Sequence, residues 1–380
     1  MAIIGVGYTI PRATTSELSY RELVYEAAVK AYAEAGIEPK DIGCFTAVSE
    51  DFNEGTSIFD EYVPDQLGAP LKPVHTISGD GIQGLAAAYM QVLTGLFDTA
   101  VVEAHSKASN IVNHERVLEF AFEPTWHRPL NINPHYLAGL EMNRYLAETG
   151  TTKEQCAAVV VKNRGNAMFN PAGVYGANLS IQDVLESSPL APPLTALQVS
   201  QYADGAVVLV LASEAKVKKL KLGAPPLWIK GIGWCSETSW IESHQWVESV
   251  YTRKAAQQAY KLASIKNPAE EINVFEIDDT YAYKELQHME SLGIAPKGKA
   301  GELTVKGITA YNGKIPVNPS GGSLGVGNML ETTGVYKVVE IARQLRGEAV
   351  RRQVVNARVG LAHSWRGLPT TTGAVVILGR

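Results

Sequence analysis

Side chains suited to covalent or metal chemistry are sparse in this chain. Its three cysteines, Cys44, Cys156 and Cys235, lie far apart, and no C-x-x-C pair exists to hold a zinc ion. Its eight histidines form neither H-x-x-H nor H-x-x-x-H pairs, so no metal is expected. Carboxylates offer more. Asp278 and Asp279 are adjacent and are followed by Tyr281 and Tyr283. In an extended segment neighbouring side chains face opposite ways, so only one of the two aspartates can point inward. An inward carboxylate beside Tyr281 or Tyr283 would make an acid–base pair for a retro-aldol step; the plainer reading is a polar turn and core aromatics. Asp80 reads as a turn or cap residue whose carboxylate sits near a helix start. His363, in GLAHSWRG, reads first as a satisfied loop histidine and second as a donor bordering a pocket.

The elements that must position these residues alternate short β-branched runs with longer helical patterns. Strands are expected at Ala2–Gly7, Val74–Ser78, Ala100–Ala104, Ala206–Leu211, Trp228–Gly233, Val274–Ile277 and Ala374–Leu378. Helices are expected at Tyr20–Ala35, stopped by Gly36, and at about Ile82–Thr94, Val250–Ala263 and Tyr283–Leu292, with a further long one within Gly322–Arg346. Helices between strands mean crossover connections and a mixed or parallel sheet. Ser106–Ser200 breaks the rhythm. It is rich in Pro, Asn and aromatics (Trp126, His127, Pro129, Asn131, Asn133, Pro134), as expected of a loop region covering a site. The KLGAPP stretch, Lys221–Pro226, is the best linker candidate, giving halves at 1–225 and 226–380.

Composition narrows the function classes. The 380 residues, at roughly 150 per domain, suggest two domains or two related halves. Hydrophobic residues make up 46% and charged residues 19%, enough to fill a large core and too little charge for a disordered chain. The net charge is −5 and the only basic cluster is KVKKLK at 216–221, so no nucleic-acid partner is expected. Apolar runs such as AVVLVLA at 206–212 are too short to span a bilayer, and MAIIGVGYTI lacks a basic leader. The expectation is a cytoplasmic protein without membrane contact.

Several segments resemble the thiolase superfamily, in its sterol-carrier-protein-type branch. The most specific is VNPSGGSLGVGNMLETTG at 317–334, followed by VEIARQLRGEA at 339–349. ISGDGIQGLAAAYMQVLTGLFDTAVVEAHSKAS at 77–109 resembles the family's nucleophile strand, its helix and the next strand. MNRYLAETGTTKEQCAAVVVKNRGNAMFNP at 142–171 resembles its loop domain, in which Lys162, Asn163 and Arg164 match a stretch near the active site. VFEIDDTYAYKELQHMESLGI at 274–294 resembles the H-D-x-F segment, and ARVGLAHSWRG at 357–367 the C-terminal active-site loop. The resemblance implies two similar α/β halves in a five-layered αβαβα fold, a loop domain inserted at about 106–200, and a homodimer. The family's ligands are coenzyme A thioesters, so a coenzyme A thioester is the expected ligand here, with no covalently bound cofactor.

Against that family pattern the chemistry has gaps. The nucleophilic cysteine, normally at a helix N-terminus, falls on Gly81, and slips of one or two residues give no thiol. The G-H-P histidine falls on Asn328, which cannot remove a proton at neutral pH. The H-D-x-F histidine falls on Asp278, which if ionised would repel an enolate. The surrounding glycines, Gly321, Gly322, Gly325 and Gly327, still match, and Gly321, Gly322 and Gly327 are the expected ligand-binding backbone. Two functions fit. One is a thioester-binding, non-catalytic or scaffold member of an acyl-CoA-processing complex, assembled with a small zinc-ribbon/OB-fold protein. The other is a coenzyme A-ester carbon–carbon lyase using Tyr281, Tyr283, Asp278 or His363, since retro-aldol cleavage needs no nucleophile.

Overall fold

A computed structural model describes residues 1–50, 53, 59–368 and 371–380. The first half supplies strands β1 (Ala2–Tyr8), β2 (Cys44–Val48), β3 (Val74–Ile77), β4 (Thr99–Ser106) and β5 (Gly205–Ala212). The second supplies β6 (Leu227–Ser236), β7 (Val274–Glu276), β8 (Val359–Arg366) and β9 (Thr372–Gly379). They join in one nine-stranded mixed sheet, ordered β3-β2-β4-β5-β1-β6-β9-β8-β7. The order outward from β1 (β5, β4, β2, β3) is repeated outward from β6 (β9, β8, β7). In place of a β3 counterpart, Val317 bridges in parallel to Phe275 of β7. The halves meet through the short antiparallel pairing of Ala2 with Trp228 and Ile3 with Leu227.

Helices cover both faces. On the outside lie α1 (Tyr20–Ala35) against the first half, and α5 (Val250–Ala263) and α6 (Ala282–Ser291) against the second. Between the two half-sheets lie α2 (Gly81–Leu93) and α8 (Thr332–Arg346). Three buried apolar clusters separate the layers, the central one formed by α2 and α8 with strands of both halves. This is the five-layered αβαβα arrangement. Local sequence explains the boundaries. A reciprocal Ser19/Glu22 capping box opens α1, and Gly36, at φ 64°, closes it. Asp80 opens α2 in the same way, paired with Gln83.

Besides β2, which is not among the expected strands, the structure departs from the expected elements in three places that bear on the site. The Ser106–Ser200 region is largely helical, with α3 (Pro134–Thr149) and α4 (Lys153–Ala167) packed into the second-half core. Residues 359–366, expected as a loop, form β8, paired with β9 from Val359↔Gly379 to Arg366↔Thr372. Gly360, His363 and Ser364 blur its apolar pattern, yet the strand is buried on both faces, where neighbouring elements and not alternation decide. The helical stretch within Gly322–Arg346 is two helices, α7 (Gly322–Val326) and α8, broken at Gly327 (φ 115°) and Leu330 (φ 49°). Among the described residues no helix is long and apolar enough to cross a membrane.

Candidate active site

The starts of α2 and α8 converge on one cavity of about 170 Å3. Its polar lining includes Glu50, Asp80, His135, Tyr202, Tyr281 and Asn328, with Glu331 and Arg366 beside them. Its apolar lining comes from Leu118, Ala121, Pro134, Val199, Leu330, Trp365 and Leu368.

Gly81 is buried at the first position of α2, and its N–H donates to the Glu331 carbonyl at 2.8 Å. A Cβ placed there would lie 2.7 Å from both methyl groups of Val335 and 3.1 Å from the Glu331 oxygen. The volume a nucleophile would need is already filled by α8. None of the cysteines replaces it. Cys44 and Cys156 are buried away from the cavity, and burial pushes their thiols up to about 11 and about 12, where they stay protonated. Cys235 lies in β6, also outside the cavity lining.

Asp80 does line the cavity. Its carboxylate accepts from the Ile82 N–H at 2.9 Å and the Gly334 N–H at 3.1 Å, tying the first turns of α2 and α8 together. Burial pushes its pKa up to about 7; hydrogen bonds from Ser364 and these two amides oppose the rise, and the charge of Asp278 adds to it.

Tyr281, just before α6, is the one predicted acid–base residue that reaches the cavity with its side chain bonded there. Its hydroxyl lies 3.1 Å from Nδ1 of His135, and its ring packs on Tyr283 and Trp365. Burial raises the Tyr281 pKa, and nearby tyrosines and carboxylates add to the rise. Burial likewise lowers that of His135, with Glu115 opposing. The histidine, on the first turn of α3, had no signal in its own spacing; only the Asn/Pro/aromatic richness of its surroundings marked the region. Tyr202 was missed for the same reason. Burial, with Glu115 and Glu331 nearby, raises its hydroxyl to about 12.

Asn328 also lines the cavity. Its Oδ1 accepts from the Leu330 N–H at 2.9 Å and the Thr333 hydroxyl at 3.3 Å, which leaves the amide NH2 as the end available to a ligand. Among the described residues that NH2 has no acceptor.

The other predicted residues lie behind the cavity wall. Asp279 is buried under the start of α7, accepting from the Ser323 and Leu324 N–H groups at 2.6 and 3.2 Å and from Asn163 Nδ2 at 2.8 Å. Asp278 faces the other way, as extended geometry requires, but is absent from the cavity lining. Its Oδ1 accepts from the Thr280 N–H at 3.0 Å, and burial raises its pKa. His363 is fully enclosed. Its Nδ1 accepts from the Asp278 N–H at 3.3 Å, so Nε2 carries the proton it gives to Thr252 Oγ at 3.0 Å. Burial, with Lys337 and Lys284, lowers its pKa to about 3. It has no ring nitrogen left for a ligand. Tyr283 donates to Glu141 at 2.7 Å in the core. Gly321, Gly322 and Gly327 pack on Ala167, Asp279 and Ala203, outside the cavity lining. Lys162 pairs with Glu285 at 3.0 Å and donates to the Val317 carbonyl at 2.8 Å, and buried Arg164 has its pKa lowered by desolvation; all three of Lys162, Asn163 and Arg164 stand outside the cavity lining.

Comparison with known proteins adds to this geometry. A family model described as "Thiolase C-terminal domain-like" matches residues 234–380. The chain is 31% identical to acetyl-CoA acetyltransferase of Methanocaldococcus jannaschii over 91% of this chain and 90% of that protein. It is 29% identical to sterol carrier protein 2 of Bos taurus over 95% of this chain and 69% of that protein. Among solved structures, the Ltp2-ChsH2(DUF35) aldolase superposes with a TM-score of 0.84 at 26% identity, covering 100% of this chain and 97% of that one.

Proposed function

The chain belongs to the thiolase superfamily, in its sterol-carrier-protein-type branch, and from that premise we propose that it is a carbon–carbon lyase of coenzyme A thioesters, cleaving β-hydroxyacyl groups by retro-aldol chemistry, without ordinary thiolase turnover. The observation that carries this reading is the substitution at the heart of the site. A Cβ at Gly81, where the family resemblance puts the nucleophile, would crowd Val335, while the adjoining cavity keeps a hydroxyl, Tyr281, within hydrogen-bond reach of an imidazole. Retro-aldol cleavage uses that set. A base takes the proton of the β-hydroxyl, the oxygen lone pair becomes a carbonyl, and the Cα–Cβ electrons pass to the thioester as an enolate that is then protonated at Cα. The Tyr281–His135 pair is the base and the Asn328 amide NH2 the donor for the enolate oxygen. The similarity to a solved aldolase supports the same class of reaction.

The lining also bears on partners. Among the described residues the only guanidinium lining the cavity is Arg366, which is paired with Glu50, so these residues offer little to a nucleotide's phosphates. We infer that the nucleotide end is held by a partner in trans, of the DUF35 or zinc-ribbon/OB-fold kind. The half-buried edge strand β3, with Met90, Leu93 and Leu96 exposed beside it, is the surface we assign to a homodimer, which light scattering at twice the chain mass would support. A cytoplasmic site of action goes with this substrate class.

The test uses 3-hydroxy-3-methylbutyryl-CoA with and without a cognate DUF35-class protein, following release of acetyl-CoA and acetone. Wild type releases both, and Tyr281→Phe loses at least about 100-fold. Binding of the thioester without release would favour the scaffold reading, which the enclosure of His363 also suits. A covalent acyl adduct after incubation with acetyl-CoA would overturn both.

A further inference from the structure

The cavity wall holds an arrangement that none of the family comparisons brings out. Glu115, on the short helix His114–Leu118, has one carboxylate oxygen fixed by the side-chain amide of Asn133. Asn133 is also the N-cap of α3, accepting from the His135 N–H at 2.7 Å. The other Glu115 oxygen lies 3.7 Å from His135 Nε2. His135 Nδ1 lies 3.1 Å from the Tyr281 hydroxyl, which stands at the cavity. One residue thus caps the helix that carries the imidazole and holds the carboxylate behind it.

We infer that Glu115, His135 and Tyr281 form a proton relay, in which His135 receives the Tyr281 proton through Nδ1 and Glu115 positions the imidazole. The inference rests on the lyase reading above. As the β-hydroxyl proton moves to Tyr281 Oη, the proton Tyr281 carried moves to His135 Nδ1. The C=O forms, the Cα–Cβ bond breaks, and its electron pair becomes the enolate. The imidazolium then returns its proton to Tyr281, which delivers one to Cα, so the protein ends as it began. A tyrosine whose own ionisation is opposed by burial could not act as a base alone; handing its proton to a neutral imidazole removes the need for a free phenolate. The groups facing His135 are Glu115 and Tyr281, and those acting on Tyr281 are Tyr202, Glu141, Glu115 and Asp278. Glu115 raises the His135 pKa against desolvation.

The relay is tested with and without turnover. In the full chain labelled with 15N-histidine, Nδ1 of His135 reads as a hydrogen-bond acceptor in the Nε2–H tautomer, and Tyr281→Phe shifts it downfield. With 3-hydroxy-3-methylbutyryl-CoA, His135→Gln lowers kcat at least about 100-fold and removes the acidic limb of its pH profile. Glu115→Gln, at a half-exposed position that folding tolerates, lowers kcat about tenfold and moves that limb to lower pH, because the group that raises the imidazole pKa is gone. A wild type that cleaves nothing sinks the lyase reading. An Nδ1 resonance unmoved by Tyr281→Phe, or a wild type that cleaves while His135→Gln keeps its rate and profile, sinks the relay.

Discussion

A glycine stands at the head of α2, where the proposed loss of thiolase turnover is decided. Restoring the missing thiol as Gly81→Cys puts a Cβ 2.7 Å from the Val335 methyls, so the substitution overpacks the α2–α8 contact. We expect it to cost about 1–3 kcal/mol in denaturant melts and to yield no acyl adduct by intact mass after acetyl-CoA. Formation of a stable adduct would mean that α8 yields easily and that the site retains thiolase competence. The same scale explains His363. With Nδ1 accepting a backbone N–H and Nε2 bound to Thr252, it holds β8 against the Asp278 segment. A sequence shows that a histidine is present; it does not show which of its nitrogens are already taken.

Among the elements, the glycine-rich segment before α8 is a packing device. Gly322 sits at φ 58°, and a Cβ there would lie 2.2 Å from Asp279 Oδ2, the carboxylate that accepts from the first N–H groups of α7. Gly322→Ala therefore combines a left-handed backbone with displacement of a buried cap, and should lose at least about 2 kcal/mol in chemical denaturation. A melt unchanged within error would show that Asp279 can move aside. The helical elements here were legible to within a residue or two wherever caps were explicit, as at Ser19 and Gly36. Helix α3, whose residues lay in a stretch read as loop, was not legible, and neither was the strand β8, whose apolar pattern Gly360, His363 and Ser364 interrupt.

For the whole molecule, burial of ionisable groups in the central layers sets the pH range of stability. Asp80 and Glu276 are raised by burial to about 7 and about 8, so the native state holds their protons where the unfolded chain has released them. Their contribution is full below the unfolded carboxylate range and is lost as pH rises through 7 and 8. His363, lowered to about 3, acts in the opposite sense: its contribution is present above about 6.5 and is lost as pH falls towards 3. Between about pH 4.5 and 6.5 the two carboxyls lose more than the one histidine gains, so stability should peak near the unfolded carboxylate range, at about pH 4, and decline as pH rises towards 8. Urea midpoints across pH 4–9 check this, and a midpoint still rising from pH 6 to pH 9 would show that the carboxyl burial is relieved. Asp80→Asn should flatten the alkaline decline.

The sequence by itself determined the family, the alternation of strand and helix, and that Gly81, Asp278 and Asn328 carry neither thiol nor imidazole, because motif order and residue type are local properties. It also marked Tyr281 and the region before α3. What only the tertiary structure decided is which side chains share a space. Val335 stands where a Cβ at Gly81 would crowd it, Asp278 and His363 turn behind the wall, and His135, 146 positions away from Tyr281 along the chain, meets its hydroxyl. Such meetings depend on how α3, α6 and α8 pack across two half-sheets, and contacts between residues so far apart leave no period or spacing in one chain from which to read them.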